Sequence, residues 1–249
     1  MTAIALLGSG EFESWTRPID QWCAAQSAND SNRVLVLPTA SAPEGEDVFA
    51  RWAAMGIEHY RGLGFDPEVL DLRERTDASR EEIVAAIAGA RLAFFSGGNP
   101  GYLVETLAGT PFWAAVLERF RAGAILAGSS AGAMMLAATT FVPRGRGPDG
   151  LPTDVSTRPA MGLVPGVIVA PHFDILPAAL RDTWSCVVPA GTRLLGIDED
   201  TALVARDAVW TVRGRGRVYL LGDGEEVAVA PGATLDGLIP APLAYTQRP

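Results

Sequence analysis

The sequence predicts a single α/β domain, residues 1–249, in which helices cover both faces of a mainly parallel sheet. Short apolar runs alternate with amphipathic segments along most of the chain, and three of these runs end in glycine-rich turns. Hydrophobic residues make up 48% of the chain and charged residues 20%, which is enough for one sizeable core. We therefore expect a three-layer sandwich with an antiparallel hairpin region near the C-terminus.

Strands and helices alternate regularly over the first half of the chain. The predicted strands are residues 3–8, 33–37, 67–72, 91–95 and 123–127, and the predicted helices are residues 44–55, 79–89, 111–121 and one that begins at 131. In the helix 79–89, Ser79 is the expected N-cap, Glu82 stands at the capping-box position and Gly89 ends the helix. Apolar strands joined by helices in this way indicate right-handed βαβ units.

The second half of the chain is less regular. Residues 143–160 are rich in proline and glycine and predict a long irregular loop. A strand at 166–170 and a helix near 176–187 follow it. Residues 193–229 hold several short β-type runs separated by turn residues, which predicts hairpins on one edge of the sheet.

The composition excludes several classes of function. All 20 basic residues are arginine, so no lysine exists for a P-loop, a Schiff base or a Ser-Lys dyad. The net charge of −9 argues against nucleic-acid binding, and no apolar run approaches the ~20 residues of a membrane span. The N-terminus lacks the pattern of a signal peptide, so a cytoplasmic location is expected. Cys23 and Cys186 lie far apart, so we expect two buried free thiols, with no metal ion or other cofactor.

The segment Gly128–Gly132 carries the clearest chemical motif. It reads G-S-S-A-G and places Ser130 between an apolar strand and a helix of small residues. This pattern is typical of a nucleophile elbow, in which the N–H groups of the following helix stabilise an oxyanion. A turn of small residues in which the serine only caps the helix would leave the same pattern. Gly97–Gly98, at the end of a strand, offers a second N–H donor or is a plain turn.

A nucleophilic serine requires a base, and the chain has two histidines. His172 follows an apolar strand, at the end where open α/β sheets carry their sites, whereas His59 is expected at the surface or in a turn. Asp198, Glu199 and Asp200 follow another strand and include candidates for the acid that orients the base. On a strand, Asp198 and Asp200 would share one face and Glu199 the other. The pattern leaves open which of them acts, or whether they form only a solvated turn.

Together these motifs resemble the serine peptidase family of cyanophycinase and aspartyl dipeptidase (dipeptidase E), whose fold is similar to the class I glutamine amidotransferase domain. The matching segments are Gly128–Ala133, His172–Phe173 and Gly196–Ala202. They occur in the family's order of serine, histidine and glutamate, which differs from the order in α/β-hydrolases. Gly8–Glu11 resembles the glycine-rich loop that follows the first strand near the site, and we assign no catalytic role to its Glu11.

The resemblance implies specific roles. Ser130 would be the nucleophile, His172 the general base and then the acid, and Glu199 the group that orients the imidazole. The N–H groups of Gly98 and Ala131 would form the oxyanion hole. A peptide or isopeptide bond would be cleaved through an acyl-enzyme without any metal, and the family analogy is compatible with a homodimer.

The chain departs from cyanophycinases where the substrate is expected. Gly97–Pro100 stands where they have Gly-Gly-Asp-Gln, and Ala170–Pro171 where they have Asp-Gln. The next arginine after His172 is Arg181, whereas cyanophycinases have closely spaced arginines there. An anionic substrate group would lack its bidentate partner, so we expect a small, less charged peptide or amide rather than cyanophycin. An esterase or amidase with the same triad, or a non-catalytic binding protein with this fold, remain the alternatives.

Overall fold

The structure is a computed structural model that describes residues 3–28, 30–145, 154–222, 225–235, 237 and 239–242. Its strands are β1 (Ala3–Leu7), β2 (Arg33–Leu37), β3 (Asp66–Val69), β4 (Leu92–Phe95), β5 (Ile125–Ser129), β6 (Ala137–Arg144), β7 (Asp154–Pro159), β8 (Val164–Pro171), β9 (Arg193–Ile197), β10 (Thr201–Arg206), β11 (Val209–Gly214), β12 (Val218–Gly222) and β13 (Glu225–Val229). Its α-helices are α1 (Arg17–Gln26), α2 (Glu46–Gly62), α3 (Glu81–Ala86), α4 (Pro100–Leu107), α5 (Pro111–Arg121), α6 (Ala131–Leu136) and α7 (Ala178–Cys186).

The first sheet has the strand order β11-β10-β1-β5-β4-β2-β3, and strands β1 to β5 are all parallel. Residues 34–37 and 92–95 are buried at every position. Such unbroken apolar runs are typical of parallel strands, because helices cover both faces of the sheet. β10 and β11 extend the sheet by antiparallel pairing beside β1. The predicted mainly parallel sheet is confirmed.

The second sheet has the order β13-β12-β9-β8-β6-β7. β6, β8 and β9 run parallel, while β12, β13 and β7 pair antiparallel at the two edges. The predicted antiparallel hairpins near the C-terminus are confirmed, as β10–β11 and β12–β13. Their predicted placement on one sheet edge is wrong, because the two hairpins lie in different sheets. β9 pairs with β8, and the short connection 198–200 then carries the chain across to β10 in the first sheet.

The predicted irregular loop at residues 143–160 is partly a β-hairpin, so this prediction is also wrong for its two ends. β6 and β7 pair antiparallel, with Pro143 opposite Val155. Proline is tolerated there because the ladder between β6 and β8 reaches only as far as Thr139, which leaves the outer part of β6 paired on one side. Residues 146–153 of the predicted loop lie outside the described residues.

Helix ends follow the sequence signals unevenly. α5 has the predicted bounds, and the hydroxyl of Thr110 accepts the N–H of Trp113 at 3.3 Å as its N-cap. The predicted capping of the third helix by Ser79 is wrong, because Ser79 ends a 3₁₀ turn and α3 begins at Glu81 without a side-chain cap. α2 runs seven residues beyond the predicted end at residue 55.

Two helices, α1 and α4, are absent from the sequence prediction. Asn99 caps α4 by accepting the N–H of Tyr102 at 3.0 Å, and Pro100 occupies the first turn. This is a standard helix start, with the cap followed by a proline that needs no N–H partner. The preceding glycines concealed it, because they indicate a turn at the end of β4.

Two clusters of buried apolar side chains hold the layers together. One joins the second sheet, α4, α5 and α6 to one face of the first sheet, and the other fills the opposite face of the first sheet beneath α1 and α2. The connections after β5, β8 and β9 come together between the two sheets. Within the described ranges, no helix is long and apolar enough to cross a membrane.

Candidate active site

Ser130 stands on a sharp turn between β5 and α6, as the elbow motif predicts. Its backbone has φ 49° and ψ −111°, and its N–H donates to the carbonyl of Leu7 at 3.0 Å. The glycines on either side, Gly128 and Gly132, are required because a side chain at either position would clash with neighbouring backbone atoms. A Cβ at Gly128 would lie 2.4 Å from the carbonyl carbon of Gly132, and one at Gly132 would lie 2.1 Å from the carbonyl oxygen of Phe95. A non-glycine residue at positive φ is costly, and such strain is concentrated at functional sites.

His172 follows β8 and faces the elbow. Its Nε2 lies 2.8 Å from the Oγ of Ser130. His172 also has a positive φ, 134°, so the chain turns abruptly where the imidazole is presented. The histidine that sequence reasoning selected as the base is thus within hydrogen-bonding distance of the predicted nucleophile.

Glu199 lies in the connection between β9 and β10 and reaches the other side of the same imidazole. Its Oε1 is 3.1 Å from the Nδ1 of His172. Its own N–H donates to the Oδ1 of Asp174 at 3.0 Å, which fixes the turn. The side chains of His172 and Glu199 are 35% and 40% exposed, so this pair is open to solvent.

The other two carboxylates of the acidic segment point elsewhere. Asp198 is buried, its Oδ2 accepts the N–H of Arg217 at 2.7 Å, and burial raises the pKa of its carboxyl above the ordinary value. Asp200, with φ 51°, forms an ion pair with Arg215 at 3.0 Å. The expected alternation along a strand does not apply, because β9 ends at Ile197 and the three acids lie in the connection.

The two predicted oxyanion donors, Gly98 and Ala131, belong to the loop after β4 and to the start of α6. Ala131 is the first residue of α6, so its N–H has no acceptor within the helix. Gly98 has φ 139°, and a Cβ there would lie 2.4 Å from the carbonyl oxygen of Ala40, so only glycine fits. A Cβ at Gly97 would lie 3.4 Å from the Cβ of Ser130, which shows how closely this loop approaches the elbow. The roles of Gly98 and Ala131 stay a prediction.

A cavity of about 430 Å³ opens onto these groups. Besides Ser130, His172 and Gly98, its walls include Trp52 and Met55 from α2 and the acidic residues Glu11, Glu13, Glu199 and Asp200. No arginine belongs to this wall among the residues that the structure describes. The charged side chains of this wall, apart from the imidazole, are therefore all acidic.

Arg181, the arginine nearest after His172 in sequence, is held by its own segment. Its guanidinium donates to the carbonyls of Leu176 and Asp174 at 3.0 and 3.3 Å. It also lies over the ring of Phe173, 4.5 Å from the centroid.

The described residues include no group of three or more histidine, cysteine or acidic side chains arranged for a metal ion.

Glu11 is a site residue that the sequence analysis set aside. It is buried, and its two carboxylate oxygens accept hydrogen bonds from the N–H of Gly97 and the hydroxyl of Ser129. Its place in a glycine-rich segment after the first strand was the only signal in the sequence. Trp52 and Met55 gave no signal, because α2 reads as an ordinary amphipathic helix.

His59 is not the surface or turn residue that the sequence predicted. It is buried in α2, with its Nε2 2.8 Å from the Oδ2 of Asp20 and its Nδ1 3.1 Å from the carbonyl of Phe12.

Of the two thiols, Cys23 is buried as expected, but the prediction for Cys186 is wrong. Cys186 is exposed because it ends α7, whose buried residue is Trp184.

Known peptidases match both the sequence and the fold. The family model described as Peptidase family S51 matches residues 4–212. Cyanophycinases from Nostoc sp. and Trichormus variabilis are each 30% identical over 228 residues, which cover 90% of this chain and 74% of the relative.

Two solved structures are similar. A peptidase from an acI-B1 actinobacterium gives a TM-score of 0.82 at 31% identity, over 95% of this chain and 97% of the other. A putative peptidase E from Listeria monocytogenes gives a TM-score of 0.57 at 18% identity, over 92% and 98%, which is a likeness of fold alone.

Proposed function

The chain belongs to peptidase family S51 and is a hydrolase of the cyanophycinase and peptidase E type; from that premise we propose that it cleaves a peptide or isopeptide bond through an acyl-enzyme on Ser130. One observation carries the proposal: hydrogen bonds run from Ser130 through His172 to Glu199, at 2.8 and 3.1 Å. The two contacts use opposite nitrogens of the imidazole. Nε2 is therefore free to take the serine proton while Nδ1–H donates to the carboxylate.

In the proposed reaction, the Oγ of Ser130 attacks the carbonyl carbon of the scissile bond and its proton passes to His172. The N–H groups of Gly98 and Ala131 stabilise the resulting oxyanion. His172 then gives the proton to the leaving amine, the C–N bond breaks, and the acyl group remains as an ester on Ser130. A water molecule, deprotonated by His172, hydrolyses this ester. Glu199 holds the ring and stabilises the imidazolium form in both halves of the reaction.

The proposed substrate is a small peptide or amide without a carboxylate near the scissile bond. A bound carboxylate would lie near the acidic residues Glu13 and Glu199 of the cavity wall, and like charges at close range disfavour binding. Arg181 does not belong to the cavity wall, and its guanidinium donates to carbonyls of its own segment. We therefore propose that cyanophycin is not the substrate.

The test compares the wild-type protein with Ser130→Ala on α-Asp-X, β-Asp-X and neutral dipeptides and on p-nitrophenyl acetate. Released amine or nitrophenol is measured, and intact mass spectrometry detects the acyl-enzyme. We expect the wild type alone to cleave neutral dipeptides, and to cleave both aspartyl series more slowly. Full activity of Ser130→Ala would overturn the proposal. Turnover of the ester alone would identify an esterase, and no turnover at all a binding protein.

A further inference from the structure

We propose that Glu11 is a positioning residue that holds the loop 96–99, here called the oxyanion loop, against the nucleophile elbow at Ser130. This inference rests on the function proposed above. Glu11 is only 4% exposed. Its Oε1 accepts the N–H of Gly97 at 2.9 Å, and its Oε2 accepts the hydroxyl of Ser129 at 2.6 Å. A buried carboxylate is tolerated when donors satisfy its oxygens, and here each oxygen has one.

The two donors belong to the two halves of the catalytic apparatus. Gly97 immediately precedes Gly98, the predicted oxyanion donor from the loop after β4. Ser129 immediately precedes Ser130, the predicted nucleophile at the end of β5. The ladder between β4 and β5 ends at the pair of Phe95 and Gly128, so its register stops just before these residues. Glu11 connects the two segments beyond the end of the sheet.

Glu11 is itself held on both sides. The carbonyl before it accepts the indole N–H of Trp15 at 2.8 Å. The carbonyl after it, that of Phe12, lies 3.1 Å from the Nδ1 of His59, and Asp20 fixes that imidazole from its other nitrogen at 2.8 Å. The carboxylate therefore projects from a backbone that α2 and the segment leading into α1 both anchor.

The oxyanion loop is held by contacts on two sides. A Cβ added to Gly97 would lie 3.2 Å from the Oε1 of Glu11, so this backbone packs directly on the carboxylate. On the far side, the N–H of Asn99 donates to the carbonyl of Ala40 at 2.8 Å. The loop is fixed between these two contacts. Loss of one contact frees it to move, and a shift of about 1 Å in a catalytic group is enough to slow a reaction roughly 100-fold.

The proposed role depends on hydrogen bonds rather than on charge, which separates two variants. In Glu11→Ala both contacts are lost. In Glu11→Gln the amide oxygen still accepts the N–H of Gly97, and the amide nitrogen can donate to the Oγ of Ser129, whose hydroxyl also accepts. The glutamine variant should restore most of what alanine removes.

The experiment measures the rate at which a fluorophosphonate labels Ser130. In this step the Oγ–P bond forms, the P–F bond breaks with loss of fluoride, and the serine proton passes to His172. The phosphoryl oxygen occupies the oxyanion hole, so the rate reports on its geometry. We expect Glu11→Ala to lower the first-order rate constant about 10- to 100-fold with little change in the binding constant of the probe. Glu11→Gln should recover to within about threefold of the wild type.

The control is Thr110→Ala, which removes a buried capping hydroxyl at the start of α5, outside the cavity wall. It should lower the melting temperature and leave the labelling rate unchanged, which separates loss of stability from loss of positioning. If Glu11→Ala does not fold, Ser129→Ala removes one arm of the contact and should slow labelling several-fold.

Three outcomes would overturn the proposal. If Glu11→Ala is labelled at the wild-type rate, the contact does not position the loop. The same holds for a folded Ser129→Ala if Glu11→Ala does not fold. A Glu11→Gln variant as slow as Glu11→Ala would assign the effect to charge. A wild-type protein that neither reacts with the probe nor hydrolyses any substrate would instead refute the proposed function, and the inference with it.

Discussion

His59 and His172 each pair with a carboxylate, but His172 lies in the wall of the cavity described above, whereas His59 is buried. His59 lies 2.8 Å from Asp20, and the side chains of both residues are 3% exposed. His172 lies 3.1 Å from Glu199, with both side chains more than a third exposed. The tighter and better buried pair is the one without access to a substrate. The presence of a His–carboxylate pair therefore says little about catalysis.

The ring nitrogens make the distinction sharper. The Nε2 of His59 faces the carboxylate of Asp20 and, at 3.4 Å, the hydroxyl of Thr16, so acid and hydroxyl share one nitrogen. Its Nδ1 faces the carbonyl of Phe12. No nitrogen remains to take a proton from a hydroxyl while the carboxylate holds the other side. At His172 the hydroxyl and the carboxylate lie on opposite nitrogens, which is the arrangement that proton transfer requires.

The largest expected effect tests whether His172 alone, and not His59, is needed for activity. We expect His172→Ala to lower kcat for the best dipeptide about 10³- to 10⁴-fold, because the serine loses its base. The melting temperature should hardly change, since the side chain is partly exposed. Steady-state kinetics and calorimetry on His172→Ala and on the matched variant His59→Ala test this, and His59→Ala should show the reverse pattern. Equal losses of kcat in both variants at full folding would contradict it.

A second effect concerns stability alone. Asp20→Ala should lower the free energy of unfolding by about 3 kcal/mol, because it leaves the imidazole of His59 and the hydroxyl of Tyr60 buried without their acceptor. Urea denaturation followed by fluorescence measures the change. Glu199→Ala serves as the matched loss of a carboxylate from an exposed pair and should change stability by less than about 1 kcal/mol. A smaller loss in Asp20→Ala than in Glu199→Ala would reverse the comparison.

Glu199→Gln should have a smaller effect on rate than loss of the base. The amide oxygen can still accept the Nδ1–H of His172, but it brings no charge to stabilise the imidazolium. Solvent already screens this pair, so we expect kcat to fall about 10- to 100-fold rather than more. The pH dependence of kcat/KM, measured with the same dipeptide, gives a second readout. An unchanged kcat would remove Glu199 from the mechanism.

The smallest expected effect concerns the reactivity of Cys23, a thiol close to the buried pair of Asp20 and His59. Burial raises the pKa of the Cys23 thiol well above its ordinary value, and the nearby carboxylate of Asp20 raises it further. The thiol therefore stays protonated and unreactive in the native protein. A disulfide reagent at pH 8 should modify the exposed Cys186 quickly and Cys23 only on unfolding. Rapid modification of both thiols would show that the region around Asp20 and His59 is open.

Local signals in the sequence found the residues that follow strands. The elbow at Ser130 and the strand-end position of His172 are read from neighbouring residues, and the choice of Glu199 came from the family's motif. Glu11 was missed because its partners lie 86 and 118 residues away. His59 was misplaced because Asp20, 39 residues earlier, lies on another helix.

The division into two sheets escaped prediction for the same reason. Each strand is visible as an apolar run, but the sequence does not state which strand it pairs with. β1 and β10 are neighbours in the first sheet although most of the chain separates them. Element types thus follow from local composition, while long-range partners decide the layers and the supporting contacts of the site.

The order of the site along the chain has a consequence during synthesis. The serine is made first, the histidine 42 residues later, and the glutamate 27 residues after that. At roughly 5–20 residues per second, a ribosome needs several seconds to supply the groups that would activate the serine. The central strand β1 also waits for β10 to complete its pairing. A nascent chain therefore carries Ser130 without the His172 and Glu199 contacts, and the proposed activity could arise only after its last third has emerged and folded.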